Sequence, residues 1–155
     1  MGIGPMASVA GAIAEFVGSQ LLDSSPEIIV ENGGDIYLKS FGERLIGIYA
    51  GKSPLTGKIG LEINGQDTPM GICTSSGTVG HSLSRGKADA VIVLSKSAAL
   101  ADAAATAIGN LIIQPDDIPS GIEFAQGIDG LKGVIIIQGD KMGLWGEVKI
   151  CRTPA

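Results

Sequence analysis

Apolar residues first recur at helical spacing, with Met6, Val9, Ala10, Ile13, Phe16, Val17 and Leu21 following Pro5, a residue suited to a first helical turn. Pro26 closes this helix, and Glu27–Glu31 reads as a strand. Asn32-Gly33-Gly34-Asp35 is a turn, after which Ile36–Lys39 returns as a second strand. Leu45–Ala50 and Ile59–Ile63 read as further strands with Gly51–Gly57 looping between them, and Asn64-Gly65 is a hairpin-type signal. Gly71 to Gly86 reads as a polar Gly/Ser/Thr loop, Ala88–Leu94 as a buried strand, and Ser97–Leu111 as a helix. Pro115–Pro119 breaks the chain and Ser120–Gln126 forms a short helix. Gly133–Gln138 and Leu144–Ile150 then close it as strands around Gly139-Asp140. With no linker, repeat or low-complexity tract, residues 1–155 make one α+β domain, a mixed β-sheet with helices on one face.

The Ser97–Leu111 helix carries the sharpest chemical signal. Leu100, Ala104, Ile108 and Leu111 form an apolar stripe, yet the opposite side is also uncharged except for Asp102 and Thr106. A helix apolar nearly all round is normally buried on both sides, so Asp102 should be withdrawn from water. An ionised carboxylate there needs a cation or several donors. Asp102 and Thr106 are four apart, on one face, with Cβ atoms about 5–6 Å from each other. A carboxylate and a hydroxyl at that spacing suit a hard cation such as Mg²⁺ that shares substrate phosphates. The competing reading has Asp102 accepting bonds from backbone amides or Lys96, and Thr106 bonding back into its own helix.

Composition narrows the classes. The chain has 45% hydrophobic and 17% charged residues, which argues against disorder. Its 24 glycines are roughly twice the usual share of about 7%, implying tight turns or loops whose amides face a ligand. The net charge is −5, and the eleven Lys and Arg residues form no stripe, so nucleic acid is excluded as a partner. Met1 to Gly18 is apolar, but it lacks an early basic residue and is interrupted by Glu15, so no signal peptide is read. No apolar run reaches membrane-spanning length, and the chain reads as cytoplasmic. Cys73 and Cys151 read as buried or idle thiols, and one histidine without paired cysteines excludes a zinc site. A mean hydropathy of +0.34 leads to the expectation of a self-associating surface, and so a homo-oligomer, or of a missing segment.

Cys73-Thr74-Ser75-Ser76-Gly77-Thr78-Val79-Gly80-His81 combines small hydroxyl donors with flexible backbone, as an anion cradle requires, although any exposed turn has similar composition. His81, the one histidine, is a candidate general base set against the plainer reading of a surface loop residue. Gly51 to Lys58 has the wrong glycine spacing for a P-loop, and Ile59 stands where Ser or Thr must reach a metal. There is no G-x-S-x-G elbow.

Taken in order, Glu31-Asn32-Gly33-Gly34-Asp35-Ile36, Cys73-Thr74-Ser75-Ser76-Gly77, His81 and Ala98-Ala99-Leu100-Ala101-Asp102-Ala103-Ala104-Ala105-Thr106-Ala107 resemble the ApbE-like superfamily over about Gly4 to Ile112. The best-known members are FAD:protein FMN transferases, which move FMN from FAD to a Ser or Thr of an acceptor protein with Mg²⁺. The resemblance implies an ApbE-like, T-fold-like domain corresponding to the C-terminal portion of the full fold. It implies Asp102 and Thr106 as side-chain ligands of the metal, with the Ala7 carbonyl completing the site. Asn32, Gly33, Gly34 and Asp35 would shape a flavin nucleotide pocket lined by Thr74, Ser75, Gly77 and His81, and His81 would assist proton transfer. The chain departs from the transferases with Ser8-Val9 for a Lys-Gly pair and Ser82-Leu83-Ser84-Arg85-Gly86 for an Asp-Pro-x-Thr-Gly segment, and its Gly4-Pro5-Met6-Ala7 and shorter loops are more similar to an ApbE-like branch of archaea and anaerobic bacteria. That branch has been linked to sulfur incorporation in homocysteine synthesis. The alternative function is therefore a non-catalytic flavin- or metabolite-binding accessory protein.

Overall fold

The computed structural model describes residues 2–80 and 84–154. A 3-10 turn at Pro5–Ser8 leads into helix α1 (Val9–Leu21). Strands β1 (Ile28–Asn32) and β2 (Asp35–Lys39) form a hairpin. Its two turn residues, Gly33 and Gly34, have φ of 64° and 98°, a conformation that glycine adopts without strain. Strands β3 (Arg44–Gly47), β4 (Ile59–Ile63), β5 (Met70–Ser75) and β6 (Ala90–Ser95) follow. Helices α2 (Ala98–Gly109) and α3 (Ile118–Gln126) precede β7 (Leu131–Gln138), β8 (Lys141–Gly146) and β9 (Ile150–Arg152).

The strands form a six-stranded sheet in the order β1-β2-β5-β6-β7-β8 and a three-stranded sheet in the order β3-β4-β9. Side-chain alternation sorts two cores. Val91, Val93, Val134 and Ile136 of the large sheet face the helices, whereas Ile92, Leu94, Ile135 and Ile137 face the small sheet. The result is three layers: helices, large sheet, small sheet. Central strand β6 is buried throughout, which explains why its residues read as one apolar run.

The α+β expectation holds, but the mixed β-sheet does not, because every strand pairing is antiparallel. Two successive helices, α2 and α3, join β6 to β7, so the chain returns in the opposite direction instead of crossing over. Within the expected polar loop from Gly71 to Gly86, Met70–Ser75 is instead strand β5, pairing with both β2 and β6. Glycine stands at position 71 of that strand because a Cβ there would press on the Ala98 backbone at the start of α2. Asn64-Gly65 is not a hairpin turn. Asn64 caps a short 3-10 helix, Gly65–Asp67, and β4 and β5 lie in different sheets.

Helix α1 inverts the usual rule for an amphipathic helix. It buries Gly11, Ala14 and Gly18, while Ile13 and Phe16 stand 49% and 68% exposed. The small face lets α1 approach α2 so closely that a Cβ on Gly11 would sit 2.8 Å from the Asp102 Cβ. Glu15 reinforces the contact, its Oε2 accepting from Ser97 Oγ at 3.0 Å and Ala99 N at 3.1 Å at the start of α2.

Candidate functional site

A cavity of about 970 Å³ opens at one end of the large sheet, and all three layers contribute to its walls. Ala7 comes from the 3-10 turn and Ala10 from the start of α1, Gly33 to Ile36 from the first hairpin, Thr74 to Ser76 from the end of β5 and the residue after it, Asp102 and Thr106 from α2, and Asn110 from its C-cap. In the small-sheet layer, β3 with the two residues after it supplies Ile46 to Tyr49. The size suits a small-molecule ligand.

Asp102 is buried, 9% exposed, on the α2 face turned toward α1. Its Oδ2 accepts from the Gly11 amide at 2.9 Å. In an unbroken α-helix that amide would donate to the Ala7 carbonyl, four residues earlier. Its diversion to Asp102 deprives the Ala7 carbonyl of that donor, at the point where the 3-10 turn gives way to α1. The competing expectation for Asp102 is thus met in part by one backbone amide, while Lys96 is absent from its hydrogen bonds. No donor among the described residues reaches Asp102 Oδ1, and Thr106 Oγ1 makes no hydrogen bond back into its helix among them. Asp102, Thr106 and Ala7 all line one cavity, and between them they carry a carboxylate, a hydroxyl and a backbone carbonyl. Among the described residues no three His, Cys, Asp or Glu side chains cluster, so a hard cation at this site would rest on mixed oxygen donors of this kind.

Electrostatics at the site favour a cation. Burial raises the pKa of Asp35 from 3.8 to about 7, the charge of Asp102 adds to the rise, and the Thr74 amide, donating to Asp35 Oδ1 at 3.2 Å, opposes it. Burial also raises the pKa of Asp102, against the lowering effect of the Gly11 amide. Both carboxyls resist ionisation in this cavity wall, so an added positive charge beside them would favour their anions.

The structure brings most of the expected residues together. Gly33, Gly34, Asp35, Thr74 and Ser75 line the cavity along with Asp102, Thr106 and Ala7. Two do not. The Asn32 amide donates to the Ala10 carbonyl at 3.2 Å and tethers the hairpin to α1, and Gly77 is packed against the Gly86 backbone. His81 lies outside the described residues. Sequence reasoning missed Tyr49, Arg85 and Asn110, which also line the cavity. Of these only Asn110 carried a signal, standing four residues beyond Thr106 and so on the same helical row. Cys73 is buried against the Ala98 carbonyl at 3.2 Å, and burial pushes its thiol far above the usual range, so it is inert at neutral pH.

The class so defined is an antiparallel α+β domain with a cavity at a sheet end, its walls both apolar and polar. Residues 1–123 match the family described as "AbpE bacteria", and the chain belongs to that family. It is 47% identical over 151 residues to a UPF0280 protein of Methanococcus aeolicus, covering 94% of this chain and 61% of that protein. A UPF0280 protein of Methanocaldococcus jannaschii is 46% identical over the same coverage. One of Methanosarcina acetivorans is 43% identical across 99% of this chain and 61% of its own length. The chain thus spans about three fifths of the length of these relatives. Among the described residues no helix is long and apolar enough to cross a membrane.

Proposed function

We propose that this domain binds a flavin nucleotide through Mg²⁺ in the ApbE-like manner, and that it can serve FMN transfer from FAD to a Ser or Thr of an acceptor protein. The observation that carries the reading is that Asp102, Thr106 and Ala7 line one cavity, with the Gly11 amide fixing Asp102 and leaving Oδ1 free of any donor among the described residues. These hard oxygens fit Mg²⁺, which when bound would neutralise phosphate oxygens and make the phosphorus more electrophilic. The chain's own residues bind and orient. The Gly33-Gly34 turn leaves room for a ligand to approach the backbone, and Tyr49, 65% exposed at the small-sheet wall, offers a face for a planar ring. In transfer, the acceptor hydroxyl oxygen bonds to the FMN phosphorus, AMP leaves with the broken phosphoanhydride oxygen, and a base takes the hydroxyl proton. His81 is the candidate for that base.

Titration of FAD with and without Mg²⁺ into the wild type, Asp102→Ala and Thr106→Val tests the reading. Expected is saturable binding that needs Mg²⁺ and weakens at least about tenfold in each variant, the loss of a charge-assisted contact. Thr106→Val keeps the Gly11 contact of Asp102 intact, so its loss of binding cannot be blamed on loosened helices. Metal-independent binding, or equal affinity in all three proteins, overturns the metal site. FMN appearing on a Ser/Thr peptide separates a transferase from the alternative, a non-catalytic accessory binder.

A further inference from the structure

We propose that Arg85 is the diphosphate-gripping side chain of this cavity, acting independently of any metal. The proposal rests on the reading above that the cavity takes an organic phosphate. Asp102, Thr106 and Asn110 recur every four residues and all line the cavity, so they form one row along α2 with a rise of about 6 Å between successive members. At the far end of the row, Asn110 Oδ1 accepts from the Arg85 backbone amide at 3.0 Å. The same segment is fixed to the helix end twice more. The Lys87 amide donates to the Ile112 carbonyl at 2.7 Å, and Gly86 lies against the Gly109 carbonyl with no space for a Cβ. The backbone that carries Arg85 is thus held one helical turn beyond Thr106, while its side chain is exposed and lines the cavity.

Charge gives that placement its meaning. The charged residues described along the cavity wall are Glu31, Asp35, Asp102 and Arg85, and Arg85 is the one cation among them. It enters no ion pair among the described residues, whereas Arg44 is spent on Glu27 at 2.7 Å. A guanidinium that shares a cavity wall with three carboxylates and pairs with none of them is available to an incoming anion, and its planar fork matches phosphate oxygens in a bidentate way. A diphosphate is long enough to reach from Thr106 to the next turn of α2. One phosphate therefore sits at the Thr106 hydroxyl, and the other meets Arg85. Gly77 and Ser76 have a supporting part. The Gly77 amide donates to the Ala88 carbonyl at 2.8 Å, and Ser76 Oγ accepts from the Thr78 and Val79 amides at 3.1 and 2.9 Å, holding the loop that packs on Gly86, the residue after Arg85.

The test is calorimetric titration of inorganic pyrophosphate in excess EDTA into the wild type, Arg85→Gln, Arg85→Lys and Arg44→Gln. Arg44→Gln removes the same charge away from the cavity. Expected is one-to-one binding that weakens at least about tenfold in Arg85→Gln, falls less in Arg85→Lys, and is unchanged in Arg44→Gln. Equal affinity in Arg85→Gln and wild type, an equal loss in Arg44→Gln, or no pyrophosphate binding by the wild type overturns the proposal. FAD titrated with Mg²⁺ in parallel separates the two readings. Pyrophosphate binding that needs Arg85 without any FAD binding removes the flavin assignment and keeps Arg85, and FAD binding indifferent to Arg85→Gln does the reverse.

Discussion

Asp35 closes the first hairpin opposite Asn32, is 6% exposed, and holds its proton to about pH 7 because burial and the charge of Asp102 both disfavour its anion. An unfolded chain releases that proton near pH 4, at the ordinary carboxylate value. Between about pH 4 and 7 the folded protein therefore binds more protons than the unfolded one, so stability falls as pH rises and the full penalty stands above about 7. Asp35→Asn keeps an acceptor for the Thr74 amide and removes the charge. In EDTA near pH 8 it should be more stable than the wild type by about 1–3 kcal/mol, and near pH 4 by almost nothing. Saturating Mg²⁺ should narrow the gap at pH 8 by stabilising the ionised wild type. Thermal melts at the two pH values check this, and identical melting temperatures at pH 8 would refute the strained carboxylate. At this scale the sequence was readable for Asp102 and Thr106, because an acid on an otherwise apolar helix announces its own burial. Arg85 was not readable. Nothing in its neighbourhood encodes that Asn110, twenty-five positions later, captures its backbone amide.

The two helices that frame the site depend on small residues rather than large ones. Residues Ile13, Phe16 and Val17 repeat at helical spacing and point outward, and the contact with α2 is made by Gly11, Ala14 and Glu15. Periodicity located the helix but not its inner face, because a stripe of glycine and alanine carries almost no hydrophobic signal of its own. The sequence hid strand β5 for a related reason. Its apolar part is interrupted by Gly71, required by the approach of Ala98, and its end is the polar Thr74-Ser75 that lines the cavity. Gly11→Ala decides between propensity and packing. Helix propensity alone favours alanine by about 1 kcal/mol. The added Cβ, however, meets the Ala98 carbonyl and Asp102 Cβ, backbone and short side-chain atoms that cannot swing away. The net effect should be a loss of about 1–3 kcal/mol, whereas Phe16→Ala on the outer face should stay within about 0.5 kcal/mol. Urea unfolding of both variants gives the comparison. A stabilised Gly11→Ala would mean that α1 and α2 are not in this close contact.

The molecule as a whole places its cavity where three layers end together, which is why no single segment of sequence could describe it. The helix layer supplies Asp102 and, from the 3-10 turn before α1, Ala7, the large sheet supplies Asp35 and Thr74, and β3 with the two residues after it supplies Ile46 to Tyr49. A ligand filling the space must therefore tie all three layers, and amide exchange can read each layer separately. With FAD and Mg²⁺ bound, exchange should slow together in Ala7–Gly11, Gly33–Asp35 and Ile46–Tyr49, while the α3–β7 contact on the helix side, distant from the cavity lining, stays unchanged. Pyrophosphate should slow only the α2 end and the Arg85 segment, since it has no ring to reach Tyr49. Protection confined to the α2 end with FAD as well would show that the small sheet takes no part in binding. The cavity would then hold a phosphate rather than a nucleotide.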